Sequence, residues 1–271
     1  AGDPVNTANG NMFRDDVDMA APNLGVPLTL TRHYDTQNQD DLGLGVGWTY
    51  AFGDVLVFEL ADPGDPGDFD KLVWITSSGE RHAFRDLGGG SFQSPPALRG
   101  ELALAAGAYS YRDRSGMEYR FEEQHFSDRG LEIRGRLAAQ VDAIGNGVEI
   151  VYHPGASHRR IWQVRDVHDA SRRLQFDYAG NWISNVELRA GGTVGSWTYD
   201  VDVVAQGKRA TNRRLRSVAA PAVESVDPAG NAAASRPTIV YDYYDAGLHA
   251  GTMRRITEAD AQFHHYEYYA N

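Results

Sequence analysis

Few residues in this sequence have the types and spacing that catalysis requires. His168 and Asp169 are adjacent and could serve as an acid–base pair, but they lie in a segment with turn chemistry. Neither Gly-x-Ser-x-Gly nor His-Glu-x-x-His occurs anywhere in the chain. Because no nucleophile motif accompanies the pair, a hydrolase is the weakest interpretation, and structural roles are favoured for all nine His residues. We therefore predict no catalytic residues and a protein that is not an enzyme.

Clustered carboxylates are the best candidates for metal ligands. Four aspartates share the loop 62–70, namely Asp62, Asp65, Asp68 and Asp70. The EF-hand spacing is absent, so a solvated acidic turn is favoured over a Ca²⁺ site. The same interpretation is given to a second group, Asp15, Asp16 and Asp18. The adjacent His264 and His265 would point to opposite faces of a strand and cannot share one ion, so no metal site is predicted.

Two further patterns could bind anions. Residues 43–47 read Gly-Leu-Gly-Val-Gly, but they lead into a predicted strand and not into a helix N-terminus. They therefore predict a strand connection with positive φ angles, and no cofactor is expected there or elsewhere. A basic cluster comprises Lys208, Arg209, Arg213, Arg214 and Arg216. A solvated insertion loop is favoured for this cluster, with an anionic glycan or an acidic cargo surface as the alternative partner.

Composition excludes several classes of protein. The chain has 271 residues, a formal net charge of −11 and no Cys. The negative charge argues against a nucleic-acid binder, and the absence of Cys excludes disulfides, thiol catalysis and Cys-ligated metal sites. No apolar run approaches the roughly 18 residues of a membrane-spanning helix. Because the sequence lacks both an initiator Met and a signal peptide, we expect the chain to be processed or excised from a longer polypeptide.

Short alternating stretches bounded by turn residues dominate the sequence and predict an all-β fold. Apolar and polar side chains alternate with period two along residues 28–34, which predicts a strand with one apolar face and one solvent-facing face. Further strands are predicted at 55–60, 72–76, 118–121, 148–152 and 174–178. Gly- and Pro-rich turns separate strands at 62–67, 88–90 and 145–147. Weak helical patterns occur only at 97–106 and 219–225.

The second half of the chain contains a repeat. A tripeptide of the form aromatic-x-Tyr, or a close relative of it, recurs as the ending of each repeat. The last residues of these endings are Tyr152, Tyr178, Tyr199, Tyr243 and Tyr268. Each ending follows an apolar-x-x-apolar step, at 161–164, 183–186, 215–218 and 253–256, with a longer first step at 137–141. Strand, turn and strand make one hairpin per repeat, and because a lone hairpin is marginal in water, the hairpins must pair into a continuous sheet. Both rings of an ending would share one strand face and could stack on the next pair as a ladder.

These features resemble the YD (tyrosine-aspartate) repeats of Rhs proteins, insecticidal toxin-complex shells and teneurins. The match is carried by the Gly-Arg-Leu triplet at 135–137, the Asp-Pro-x-Gly-Asn turn at 227–231 and the Tyr-Asp-Tyr ending at 241–243. The first part of the chain resembles the module of unknown function that opens many bacterial Rhs cores, at residues 2–6, 9–11, 28–34 and 43–48. Segments 78–84 and 115–121 fit the strand-turn-strand units that usually follow that module.

The resemblance implies two modules and a structural role. Residues 1–125 would form the opening β-rich module, and residues 126–271 about five YD-repeat hairpins with an insertion at 203–236. The antiparallel hairpins would build a curved, continuous sheet, a segment of a YD-repeat shell. The function would be that of a non-enzymatic scaffold that encloses or presents a C-terminal toxin cargo. Its partners would be the remainder of its own polypeptide and the cargo, and its location would be secreted or at the bacterial cell surface.

One motif of the family receives a separate interpretation. Rhs proteins that release their toxin use an aspartyl autoproteolysis site built around motifs similar to the Asp-Pro-Ala-Gly at 227–230. Two carboxylates sharing a proton would be needed for such chemistry, and this segment offers one. Turn chemistry is therefore favoured for it.

Cell-surface adhesion or carbohydrate binding, as in teneurins, is the alternative function. Trp and Tyr faces could stack on sugars, and Trp182 and Trp197 are the candidates. At repeat spacing, however, such rings favour a ladder between hairpins.

Overall fold

The computed structural model describes residues 5–6, 11–38, 41–65, 67–128, 130–154, 159–205, 211–226, 232–245 and 250–268. Every regular element in these ranges is a β-strand, which confirms the predicted all-β class. The strands are β1 (Val5–Asn6), β2 (Asn11–Ala21), β3 (Leu28–Asp35), β4 (Trp48–Tyr50), β5 (Val55–Glu59), β6 (Lys71–Ile75), β7 (Arg81–Asp86), β8 (Ser91–Gln93), β9 (Glu101–Ala105), β10 (Ala108–Arg112), β11 (Glu118–Asp128), β12 (Leu131–Val141), β13 (Gly147–Tyr152), β14 (Ile161–Asp166), β15 (Arg172–Ala179), β16 (Trp182–Ala190), β17 (Gly192–Ala205), β18 (Thr211–Ala219), β19 (Val223–Val226), β20 (Ala232–Ser235), β21 (Thr238–Tyr243), β22 (Met253–Thr257) and β23 (Phe263–His265). Within the described residues, no helix has the length and hydropathy that a membrane span requires.

The six predicted strands coincide with β3, β5, β6, β11, β13 and β15, although β11 is much longer than predicted. The two weak helical predictions are wrong, because 97–106 contains β9 and 219–225 contains the start of β19. Strands β9 and β10 pair around a tight turn in which Ala106 and Gly107 have φ angles of 51° and 77°. Positive φ at both central residues matches the twist of paired strands, so the hairpin overrides the local helix propensity of this segment.

The chain divides into two compact units, which are described separately. The first unit comprises Ala1–Asp18, Arg32–Trp48 and Gln175–Asn271, and the second comprises Met19–Thr31 and Thr49–Leu174. Each unit takes residues from both sides of the predicted module boundary near residue 125. The assignment of the two modules stays a prediction.

Eight strands of the second unit close into a barrel. Strands β5 to β12 pair in chain order, each antiparallel to the next. Strand β12 then returns to β5, with Arg136 opposite Val55 and Gly135 opposite Leu56. Closure of this kind leaves no open sheet edge among the eight strands. Strand β12 also pairs with β13, and β13 with β14, which extends the sheet beyond the barrel.

Large apolar side chains fill this barrel. Ring contacts join Trp74 on β6 to Tyr111 on β10 and to Phe121 on β11. These strands are not neighbours in the sheet, so the rings meet inside the barrel. The buried side chains on this inner face are Leu56, Leu72, Trp74, Phe84, Leu102, Tyr109, Tyr111 and Phe121. An eight-stranded barrel is just wide enough to be filled by its own side chains in this way.

Gly135 makes room for the core at the seam between β12 and β5. The register shifts between Ile133 and Gly135, so Ile133 packs with Val57 on one face while Gly135 faces the barrel interior. A Cβ atom at Gly135 would lie 3.2 Å from the Cβ of Phe121 and 3.3 Å from the ring of Tyr109. The Gly of the Gly-Arg-Leu triplet therefore relieves a tight contact in the barrel core.

The main antiparallel sheet of the first unit has the strand order β16, β17, β18, β21, β22 and β23. Residues 175–179 of β15 belong to the same unit, and β15 pairs with β16. The hairpin of β19 and β20 leaves this sheet and forms a two-stranded sheet of its own. The segment 203–236 thus contains the end of β17 and all of β18, which pair in the main sheet, as well as this side hairpin. Strands β2 and β3 are neighbours in a four-stranded sheet, and their residues 11–18 and 32–35 belong to the first unit.

We expect Gly135→Ala to lower the free energy of unfolding by about 1–3 kcal/mol, because the added methyl group overpacks the seam of the barrel. Urea denaturation followed by tryptophan fluorescence measures this change. Gly192→Ala is the matched control, since nothing lies within 4 Å of a Cβ at Gly192. Equal stability of the two variants would show that the barrel core tolerates a side chain at position 135.

Candidate functional site

The His–Asp pair considered for catalysis is used locally in the structure. The Nε2 atom of His168 lies 3.1 Å from the Oδ1 atom of Asn146. The carboxylate of Asp169 accepts a hydrogen bond of 3.0 Å from the backbone N–H of Ser171. Each side chain thus binds a residue of a turn. His264 and His265 lie on β23, where both are exposed.

The aspartates of loop 62–70 bind backbone groups and a lysine. Asp62 accepts the N–H of Gly64 at 2.8 Å, and Asp68 accepts the N–H of Asp62 at 2.9 Å. The hydrogen bond from Asp62 and the ammonium of Lys71 lower the pKa of Asp68 to about 2. Among the residues that the structure describes, no group of three or more His, Asp or Glu side chains could hold a metal ion.

The glycine-rich segment 43–47 is a strand connection, and its predicted positive φ angles are confirmed. The φ angles of Gly43, Gly45 and Gly47 are 109°, 97° and 85°. The buried carboxylate of Asp41 accepts the N–H groups of Gly43 and Gly45 at 2.8 and 2.9 Å. Two of the N–H groups that a phosphate would need are therefore already bonded to a carboxylate.

The solvated-turn interpretation of Asp16 and Asp18 is wrong. Both residues lie on β2, where a period of two places them on the same face, and both are buried against Arg32 of β3. The Oδ2 and Oδ1 atoms of Asp18 accept hydrogen bonds of 2.6 and 2.8 Å from Nε and Nη2 of Arg32. The guanidinium of Arg32 has no exposed surface. A charge buried to this extent needs such bidentate pairing.

Tyrosine hydroxyls from later strands complete this cluster. Tyr241 accepts a hydrogen bond from Nη1 of Arg32 at 2.9 Å and donates one to Asp16 at 2.8 Å. Tyr199 donates to Asp18 at 2.7 Å. Burial lowers the pKa of Arg32, but Tyr241, Asp18 and Asp16 outweigh that effect and raise it well above its ordinary value. We call these five residues the Arg32 cluster; its guanidinium is charged at neutral pH.

The closing tyrosines of three repeats make the same hydrogen bond. The hydroxyl of Tyr152 donates to the carbonyl of Leu137 at 2.8 Å, and that of Tyr243 donates to the carbonyl of Leu215 at 2.9 Å. In the last repeat, Tyr268 donates to the carbonyl of Met253 at 2.9 Å. Each acceptor is the first residue of the apolar step in its own repeat. We call this bond the tyrosine latch.

The sequence pattern identifies these tyrosines but does not indicate the latch. The stacked ladder of rings that the pattern predicts stays a prediction. The signal that could have indicated the latch is that all five endings close in Tyr and none in Phe. A buried hydroxyl must find a hydrogen-bond partner, so this choice points to an acceptor within the fold.

An arginine precedes the latch acceptor in two of these repeats. The guanidinium of Arg136 stacks 4.0 Å from the ring centroid of Tyr152, and that of Arg214 lies 5.5 Å from the ring centroid of Tyr243. The solvated-loop prediction for the basic cluster is therefore wrong for Arg214, which lies on β18 with 4% of its surface exposed. Arg213 and Arg216 lie on the same strand, while Lys208 and Arg209 are outside the described residues.

A cleft in the second unit brings together aromatic and charged side chains. It has a volume of about 420 Å³, and its lining includes Trp74, His82, Tyr111, Tyr119, Arg99, Asp113 and Arg114. The Nε1 atom of Trp74 donates a hydrogen bond of 3.0 Å to Oδ1 of Asp54. Burial raises the pKa of Asp54 to about 6. The sequence does not indicate this cleft, because its residues come from separate strands and loops that meet only when the barrel closes.

The tryptophans proposed for sugar stacking are half-buried. The guanidinium of Arg213 lies 5.2 Å from the ring centroid of Trp182. The ring of Trp197 packs over Gly195, so closely that a Cβ there would lie 2.7 Å from it. Both rings are therefore partly covered by their own unit. The Asp-Pro-Ala-Gly motif at 227–230 lies outside the described residues.

Comparison with known proteins gives a partial match. A family described as a domain of unknown function (DUF6531) matches residues 2–84. The chain is also similar to a solved structure, the N-terminal domain of effector protein SpvB from Salmonella typhimurium strain LT2, at 12% identity. That similarity covers 92% of this chain and 100% of the other, with a TM-score of 0.35. No curated protein shows a significant match.

We expect Asp18→Ala to lower the free energy of unfolding by about 3–5 kcal/mol, because it leaves the buried charge of Arg32 without its bidentate partner. Chemical denaturation at neutral pH measures this loss. Asp15→Ala is the control on the same strand, since the Asp15 side chain is 67% exposed, and we expect a change of at most about 0.5 kcal/mol. Similar losses in both variants would contradict the role assigned to the Arg32 cluster.

Proposed function

We propose that this chain is a non-enzymatic structural scaffold, the start of an Rhs/YD-repeat shell that encloses or presents a C-terminal toxin cargo. The observation that carries the proposal is the tyrosine latch, which closes the repeats that end at Tyr152, Tyr243 and Tyr268 with the same bond. A bond that recurs in three of the five repeats gives those hairpins a common form, and a sheet can be extended by adding such hairpins.

Two further observations support this proposal. The match to the domain of unknown function at residues 2–84 lies where the sequence resembles the opening module of Rhs cores. The carboxylates considered as metal ligands accept hydrogen bonds from other groups of the protein, as in the Arg32 cluster and the loop 62–70. In this proposal the protein is secreted or lies at the bacterial cell surface. Its partners are the remainder of its own polypeptide and the cargo that the shell encloses.

In the natural full-length polypeptide, we expect the region that follows residue 271 to resist trypsin under native conditions. Tyr243→Ala removes a buried ring together with its latch, at a cost of about 2–4 kcal/mol. Proteolysis follows the population of opened molecules, so we expect this variant to speed cleavage of that region about tenfold or more. Mass spectrometry of the fragments over time gives the rates.

The control for loss of a hydroxyl outside the repeats is Tyr111→Phe, at a buried tyrosine of the barrel that lines the cleft. It removes a hydroxyl outside the repeat latches, and we expect it to leave the cleavage rate unchanged. Equal cleavage of the region after residue 271 in native and in urea-unfolded wild-type polypeptide would contradict enclosure.

Carbohydrate binding, with a role in cell-surface adhesion, is the second candidate function, and the aromatic cleft favours it. Half-buried Tyr119 and the exposed Arg99 and Arg114 line this cleft. Apolar rings beside a few polar groups that fix orientation are typical of sites for small polar ligands, and the mouth of a barrel is a common place for them.

For this second candidate we expect a glycan array to detect binding by the chain, and Tyr119→Ala to weaken it at least about tenfold, as loss of a central aromatic contact does. Trp182→Ala and Trp197→Ala are the comparison variants, and loss of binding in either would move the site from the cleft to the repeats. An array without any bound glycan would reject carbohydrate binding.

A further inference from the structure

The carboxylate of Asp54 is buried immediately before β5, where the barrel of the second unit closes. Asp54 is 4% exposed, and its Oδ1 atom accepts a hydrogen bond of 3.0 Å from Nε1 of Trp74 on β6. The backbone carbonyl of Asp54 accepts the N–H of Leu137 on β12 at 3.1 Å. Asp54 therefore lies beside the seam at which β12 returns to β5, and its carboxylate is enclosed only when the barrel is closed.

Among the residues that the structure describes, no Lys, Arg or His side chain forms an ion pair with Asp54. Three of the other buried carboxylates each have an arginine close by, at 2.6, 3.0 and 3.8 Å, in the pairs Asp16–Arg14, Glu118–Arg120 and Asp41–Arg213. A further buried carboxylate, that of Asp166, accepts the backbone N–H groups of His168 and Asp169. Asp54 thus differs from the paired carboxylates in carrying a buried charge that no cation compensates.

The groups that hold the carboxylate of Asp54 are neutral. Besides Trp74, the backbone and side chain of Ser77 and the backbone of Asp54 itself form hydrogen bonds with it. Hydrogen bonds from neutral donors stabilise an ionised carboxylate less than an arginine does, whereas burial in a low-dielectric interior disfavours the charged form. Burial therefore raises the pKa of Asp54 to about 6, and the hydrogen bonds only reduce that rise.

Two tyrosines from other strands act electrostatically on Asp54. They are Tyr119 on β11 and Tyr152 on β13. Burial raises the pKa of both hydroxyls, so both are neutral in weak acid. The ring of His82 on β7 contacts that of Trp74, with centroids 5.9 Å apart, and His82 is therefore the neighbour whose charge can also change in weak acid.

The charged side chains of the adjoining turn and strands form ion pairs of their own. These pairs are Glu80–His82, Glu122–Arg136, Glu118–Arg112 and Glu118–Arg120. Asp54 can therefore lose its negative charge without leaving any of these cations unpaired.

We propose that Asp54 is an acid-responsive switch of the barrel, ionised at neutral pH and protonated in weakly acidic surroundings, where the closed barrel becomes more stable. Protonation removes the buried charge, and the carboxylic acid still has an oxygen that can accept the N–H of Trp74. The switch does not depend on the scaffold function, and the two can fail separately.

The direction of the effect follows from the two states of Asp54. In the unfolded chain the pKa of its carboxyl is close to 3.8, so the folded protein binds the proton more tightly than the unfolded chain does. The resulting stabilisation is fully present below about pH 4 and is lost as the pH rises through about 6. Above that range the contribution of Asp54 to stability no longer changes.

Urea denaturation at pH 5 and pH 7, at constant ionic strength, tests the proposal. We expect the unfolding equilibrium constant of the wild-type chain, divided by that of Asp54→Asn, to rise about tenfold from pH 5 to pH 7. Asp65→Asn is the control, since Asp65 is exposed in the same unit and an amide oxygen can still accept the N–H of Gly67. The same ratio for this control should stay constant within about twofold. An equally constant ratio for Asp54→Asn would overturn the proposal.

Because Asp54→Asn could fail to fold, the indole N–H resonances of the wild-type chain provide a second readout. We expect the Nε1–H resonance of Trp74 to shift with a midpoint near pH 6, while that of Trp48, which donates to the hydroxyl of Tyr243, stays constant. The shift should persist in His82→Gln. A Trp74 resonance that is constant from pH 5 to pH 7, or a shift that disappears in His82→Gln, would also overturn the proposal.

Discussion

The guanidinium of Arg32 carries a charge with no exposed surface, and the packing of the first unit depends on keeping that charge compensated. Asp18 and Asp16 supply carboxylates from β2, and the hydroxyls of Tyr241 and Tyr199 extend the hydrogen bonds to strands that follow much later in the chain. Because an uncompensated charge is very unfavourable in a low-dielectric interior, each of these side chains restricts the choice of the others. Polar contacts as well as apolar packing therefore join β2 and β3 to the repeat strands of this unit.

The same requirement governs the repeats in a milder form. The hydroxyl of a tyrosine packed within a sheet needs a hydrogen-bond acceptor. In three repeats this hydroxyl donates a hydrogen bond to the carbonyl of the residue that begins the apolar step. The bond connects the end of a repeat to its own beginning, so it defines the hairpin without reference to other repeats. A scaffold that grows by repetition needs a local rule of this kind. Arg136 and Arg214 cover two of the three latch tyrosines, so some repeats have this arginine and others do not.

Closure of the eight-stranded barrel in the second unit rests on a different constraint, which is space. Gly135 lies where β12 returns to β5, and a register shift beside it sends Ile133 to the opposite face. A side chain at this seam would press on Phe121 and Tyr109, which already occupy the interior, so Gly135 lets the barrel close without displacing them. The strands thereby lose their open edges, and closure also brings Trp74, Tyr111 and Tyr119 together at the cleft.

The sequence alone determined the all-β class, the strands at 28–34 and 55–60, the positive φ angles of Gly43 and Gly45, and the tyrosines that end the repeats, because period-two alternation and turn chemistry are local properties. It could not identify Asp16, Asp18 and Arg214 as buried, since acidic and basic clusters have the same composition in a solvated loop as on a strand. Only the tertiary structure decided which charges pair, which tyrosine hydroxyl meets which carbonyl and which rings form the cleft. The physical reason is that spacing along a strand specifies the face on which a side chain lies, whereas its partner depends on the strand that pairing places opposite.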